Sequence, residues 1–143
     1  MLQACLNGAR AHTAHTALPL TAAEVAADAI SVRESGATAL HIHPRGPDGA
    51  ESLATADVAA TLNAVRRAAP AMPVGIATGA WIEPNVERRL AYLRSWTTLP
   101  DHASVNLSEH GAFDVMNTLL HIDVGIEAGI WNEADAERFV TYP

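Results

Sequence analysis

Apolar residues fall along this chain in two alternating rhythms. Short apolar runs at residues 2–7, 39–45, 73–78, 103–107 and 124–128 have the length of strands. Between them lie stretches with helical spacing, such as Val58, Leu62 and Val65 within about 55–69 and Val86, Leu90 and Leu93 within about 85–96. Thr21-Ala22-Ala23-Glu24 has the form of a capping box and predicts an alanine-rich helix ending near Ser35, before Gly36. A helix is expected from Phe113 through Leu120, and Asn132 can cap a last one through Val140.

Strand and helix thus alternate five times with no hairpin signal between strands, which implies a parallel sheet with right-handed crossovers. No strand is followed by GxGxxG or a P-loop, so the pattern fits a (β/α)8 TIM-barrel type better than a nucleotide-binding open sheet. A complete barrel needs about 250 residues, and this chain has 143. The expectation is one incomplete barrel domain over residues 1–143, holding about the first five β/α units of a truncated whole.

The second run carries the chemistry. In Ala39-Leu40-His41-Ile42-His43-Pro44-Arg45 the two histidines are two apart, so in an extended chain both point to one face, about 6.6 Å apart along the backbone. At that spacing two imidazoles can lean onto one ion at about 2.1 Å from each nitrogen; the alternative is that both are ordinary sheet residues. Pro44, Gly46, Pro47 and the Asp48-Gly49 turn pair end the strand directly afterwards. The histidines would therefore stand at a strand's carboxyl end, where α/β barrels place their sites.

Composition narrows the classes. Hydrophobic residues make up 49% and charged ones 17%, as in ordinary globular proteins. A net charge of −7 gives a long-range field of the wrong sign for nucleic acid or anionic membranes. No basic, apolar leader pattern opens the chain and no run is long enough to span a bilayer, so a cytoplasmic address is expected. The lone Cys5 excludes an internal disulfide and, within an apolar run, is expected to be a buried packing residue. His12 and His15 read as solvent-facing loop residues.

If the strands are successive staves, their carboxyl ends collect Asn7 and Arg10, then His41, His43 and Arg45, then Thr78 and Gly79, then Asn106, then Glu127. A carboxylate inside an apolar strand asks for a partner, so Glu127 is a metal ligand, a general base, or the ion-pair partner of Arg10 or Arg45. Thr78-Gly79 offers a hydroxyl and an open amide to a carboxylate or carbonyl oxygen. Trp81 and Trp131 follow the third and fifth strands and could wall a pocket, while Trp96 reads as core or interface.

Leu6-Asn7-Gly8-Ala9-Arg10, Thr21 with Glu24, His41-Ile42-His43-Pro44-Arg45 with Gly49 and Ser52, Thr78-Gly79, Val105-Asn106-Leu107 and Gly125-Ile126-Glu127-Ala128-Gly129 together resemble the amino-terminal part of the β-keto acid cleavage enzyme family. The resemblance implies a zinc-dependent (β/α)8 barrel that condenses a β-keto acid with acetyl-CoA, giving acetoacetate and a new CoA thioester. It implies His41 and His43 as zinc ligands, Zn2+ as a Lewis acid on the keto oxygen, and acetyl-CoA as co-substrate. Glu127 and Arg45 would be the catalytic side chains, and Asn7, Arg10, Thr78, Gly79 and Asn106 would bind substrate.

Some positions depart from the family pattern. Its third zinc ligand, a glutamate near the last strands, has no counterpart here; a serine before the Thr-Gly pair in many members is Ala77; and an acidic residue after the first strand is Arg10, which favours an anionic or neutral substrate. The expected partners are a small β-keto acid and, for an open sheet, further copies of the chain in a homo-oligomer. Two further readings stand beside the enzyme: a non-catalytic barrel piece that assembles with a partner, and another metal-dependent aldolase-like barrel.

Overall fold

The structure is a computed structural model that describes residues 1–11 and 13–142; His12, expected in a solvent-facing loop, lies outside the described residues. Five strands alternate with five helices: β1 (Gln3–Cys5), α1 (Ala22–Glu34), β2 (Ala39–Ile42), α2 (Thr55–Ala68), β3 (Val74–Ala77), α3 (Val86–Ser95), β4 (His102–Asn106), α4 (Ala112–His121), β5 (Gly125–Gly129) and α5 (Glu133–Val140). The strands form one parallel sheet in the order β1-β2-β3-β4-β5. This is the arrangement of a partial (β/α)8-type barrel, in which each crossover helix covers the same side of the sheet.

Local chemistry sets the helix starts. The Thr21 side chain accepts from the Glu24 amide at 3.2 Å and the Glu24 carboxylate accepts from the Thr21 amide at 2.9 Å, so the predicted capping box closes α1. Asn85 and Asn132 cap α3 and α5 through their side-chain oxygens. Before α4 stands Gly111 at φ +75, where an added Cβ would also press on Val86; glycine alone meets both demands.

Parity along the strands divides the residues between two faces. Leu40, Ile42, Val74, Ile76, Ala103 and Val105 face the helices and are buried in a hydrophobic cluster with Val25, Val58, Leu62, Leu90, Leu93, Val115 and Leu119. The other face, the inside of the barrel, carries Cys5, His41, Gly75, His102 and Gly125 in one register row and Ala77, Ser104 and Glu127 in the next. Its polar character follows from having no helix layer over it.

Cys5 corrects an expectation: it is exposed rather than buried. The run is apolar, but Cys5 shares parity with Gln3 and pairs with His41 on the inner face, while its neighbours Ala4 and Leu6 pack against the core. His15 is exposed, as expected for a loop residue. Among the described residues no helix is long and apolar enough to cross a membrane.

Candidate functional site

Four of the strand-end residues, His41, His43, Asn106 and Glu127, line a concavity of about 490 Å³ walled by Trp81 and Trp131, whereas Asn7, Arg10, Arg45, Thr78 and Gly79 are not among its lining. β2 delivers both histidines. His41 is directed across the inner face to Glu127 on β5, its Nδ1 standing 3.1 Å from Oε2. His43, just past the strand, meets a different carboxylate: its Nδ1 is 2.6 Å from Glu51 Oε2. The two rings lie edge to face with centroids 5.3 Å apart.

Glu51 reaches this position through a tight return of the chain. Gly49, at φ +78, lets the loop turn back so that the Gly46 amide donates to the Ala50 carbonyl and Arg45 bridges antiparallel to Glu51. The Trp81 indole Nε1 donates to the same carboxylate at 3.1 Å and its ring stacks on His43. Burial is the largest influence on Glu51 and alone would raise its carboxyl, but the bonds from His43 and Trp81, with the charges of His43 and Arg45, outweigh it and hold the group below its ordinary range. Burial, and next the charge of His43, hold the His41 imidazole below its ordinary value against the opposing pull of Glu127.

Arg45 lies beside the pocket, where its guanidinium donates to three carbonyls, those of Gly49 at 2.7 Å, Gly8 at 3.0 Å and Arg10 at 2.7 Å. It thereby staples the loop after β2 to the loop after β1. The Arg10 side chain is exposed in that loop. Asn7 is buried with its amide fully used: Nδ2 donates to the Pro19 and His43 carbonyls and Oδ1 accepts from the His43 amide at 2.8 Å. Thr78 is buried, its hydroxyl donating to the Ser104 carbonyl at 2.7 Å, and Gly79 lies beneath Trp81, whose ring occupies the space a Cβ would need. Asn106 sits at the end of β4, its Oδ1 accepting from the Trp131 indole at 2.8 Å. The ion pairs of Glu127 run to His41 and, at 3.9 Å, to His102, where Arg10 or Arg45 was the anticipated structural partner.

This arrangement overturns the zinc expectation. Among the described residues no group of three or more His, Cys, Asp or Glu side chains is disposed to hold a metal ion. A zinc site takes at least three protein donors, whereas His41 and His43 are each drawn to a carboxylate of their own. The donor set does not fit Zn2+, and the metal-dependent transferase reaction with acetyl-CoA, which rested on that ion, is withdrawn for this chain together with the metal ligation of His41 and His43.

Four site residues escaped the sequence reading. Glu51 was signalled by Asp48-Gly49, a hairpin turn as well as a strand terminator. His102 and Ser104 share the inner parity with Asn106, and the alternation His102, Ala103, Ser104, Val105, Asn106 marks all three as one face. Glu109, which accepts from Asn106 Nδ2 at 2.8 Å, sits in a turn with no pattern to mark it.

Consecutive parallel β/α units, with polar side chains gathered at the strands' carboxyl ends and apolar ones turned to the helices, define part of a barrel with a concavity at the top of the staves. Within that class the sequence is specific: the family model for beta-keto acid cleavage enzyme matches residues 1–137. The chain belongs to that family.

Proposed function

We propose that this chain is a wall of a β-keto acid cleavage barrel that is non-catalytic by itself. It contributes five β/α units and one side of a keto-acid pocket, and it completes that pocket by assembling with a partner that supplies further parallel β/α structure. The carrying observation is the separate pairing of His41 with Glu127 and of His43 with Glu51, which leaves the strand ends polar and ordered without a shared reactive centre.

Two features support assembly. β1 and β5 each have one hydrogen-bonded neighbour among the described strands, and an unpaired parallel edge is a template for another strand. The inner face is open enough that Cys5 is exposed there. The pocket's size is in the range of small-ligand sites, and Asn106 and Ser104 on its wall suit the oxygens of a keto acid.

The test pairs sedimentation velocity with consumption of β-ketovalerate, a short β-keto acid. The reading predicts no consumption by the 15.1 kDa monomer and association that grows with concentration or with an added partner. Turnover that co-sediments with the monomer and is lost in His43→Ala contradicts it.

A further inference from the structure

A second ionic cluster, outside the histidine pairs, lies behind the pocket wall. Arg89 on α3 is 1% exposed and is buried together with Leu90 and Leu93 of the same helix. Its Nη1 donates to Glu109 Oε2 at 2.9 Å and its Nη2 to the His110 carbonyl at 2.9 Å. A charge this deep is costly unless it is paired and positioned.

Glu109 passes that constraint to the rim. Oε2 also accepts the Ala80 amide at 2.8 Å, in the turn that follows β3. Oε1 accepts from Asn106 Nδ2 at 2.8 Å, at the end of β4. Asn106 Oδ1 in turn accepts the indole N–H of Trp131, just past β5, at 2.8 Å. The donor and acceptor types leave one solution: a carboxylate only accepts and an indole only donates, so the Asn106 amide between them has a fixed orientation.

The geometry points to Glu109 as a positioning residue that locks the ends of β3, β4 and β5 into one rim around the pocket, with buried Arg89 holding its carboxylate in place. Trp131 is 76% exposed and is held toward the pocket through Asn106. Only the ligand arm of the test rests on the proposed keto-acid site; the rim itself does not.

The test is a donor–acceptor swap read by 1H–15N NMR at the Trp131 indole and the Ala80 amide. In Glu109→Gln the single remaining carbonyl is claimed by Arg89 and Ala80, so the new amide group opposes Asn106 Nδ2. Asn106 must then turn, which puts its Nδ2 against the Trp131 N–H. Exchange of the indole proton is expected to quicken three- to tenfold, on the order of one lost net hydrogen bond. Adding Asn106→Asp supplies an acceptor both to the amide group introduced by Glu109→Gln and to the indole, and should restore the protection.

Quickened exchange in Glu109→Gln followed by restoration in the double variant supports the relay, because Glu109 reaches the indole only through the orientation of Asn106. An unchanged indole in folded Glu109→Gln, or no repair in the double variant, overturns it. Should Glu109→Gln fail to fold, the double variant decides: recovery of the fold with a protected indole supports the relay, and an unfolded double variant overturns it. Titration with β-ketovalerate separates the two readings. If the ligand shifts nothing in the unaltered chain while the swap behaves as expected, the keto-acid reading fails and the rim stands.

Discussion

Removing the Asn7 side chain is the sharpest test of how the first strand is tied to the second. In Asn7→Ala the bond from Nδ2 to the Pro19 carbonyl is lost, as are the two bonds that engage both the carbonyl and the amide of His43. The site is 2% exposed, so water does not replace them without rearrangement. The Pro19 bond contributes about 1 kcal/mol, and leaving the His43 groups unpaired costs roughly 2 kcal/mol more, for a loss of about 3 kcal/mol. With an unfolding entropy of about 2.1 cal/mol/K per residue, that corresponds to a fall in Tm of roughly 10 °C for a chain of this size. Urea titration by far-UV circular dichroism, at unchanged m, reads the loss directly. Asn7→Asp should fare no better, since a carboxylate would face two carbonyl oxygens. A loss below about 1 kcal/mol in Asn7→Ala would refute the assignment of its amide to the backbone of the neighbouring strand.

Other consequences follow from the same geometry. Gly75→Ala should destabilise by about 1–3 kcal/mol, because the added Cβ meets the His102 ring, and the loss should shrink in the Gly75→Ala/His102→Ala double variant; additive losses in that cycle would contradict the contact. His41 is held below its ordinary value of about 6.5, so the unfolded chain binds its proton first and stability should fall as pH drops from about 6.5 through the folded value. Glu51, also held low, should extend that loss below about pH 4.5, as its stabilisation disappears when the carboxylate protonates. Denaturation midpoints across about pH 2.5–8 check both, and a His41→Gln variant with the same slope near pH 6 would rule His41 out as the source. Thr21→Ala should cost about 1 kcal/mol by opening the capping box, with Thr21→Ser recovering most of it in the same urea assay.

Much of this fold is legible in the sequence because two periods carry it. Helices ended by Gly36 and Pro70, a strand ended by Gly79, and stripes such as Val58, Leu62 and Val65 mark the pattern strongly enough to place each element within a few residues. The gathering of His41, Asn106 and Glu127 also follows from parallel topology, since like ends of parallel strands lie together. What periodicity does not carry is the identity of each polar partner. Glu51 meets His43 through a loop return and Glu109 meets Arg89 from a turn 20 residues further on, and neither separation has a repeat to reveal it. Cys5 shows the converse, where an apolar stretch suggested burial but strand parity placed it on the open face. The His-x-His spacing correctly put two rings on one side, yet a metal site depends on a third donor and on ring nitrogens free of other partners.

The central claim is that the strand ends of this chain form ordered histidine–carboxylate pairs and not a shared metal centre. Zinc retained by the purified chain after equilibrium dialysis, measured beside His41→Ala and His43→Ala, tests it most directly. The account predicts retention far below one equivalent in the unaltered chain, with no difference from either variant. One equivalent held by the unaltered chain and lost in both variants would contradict it.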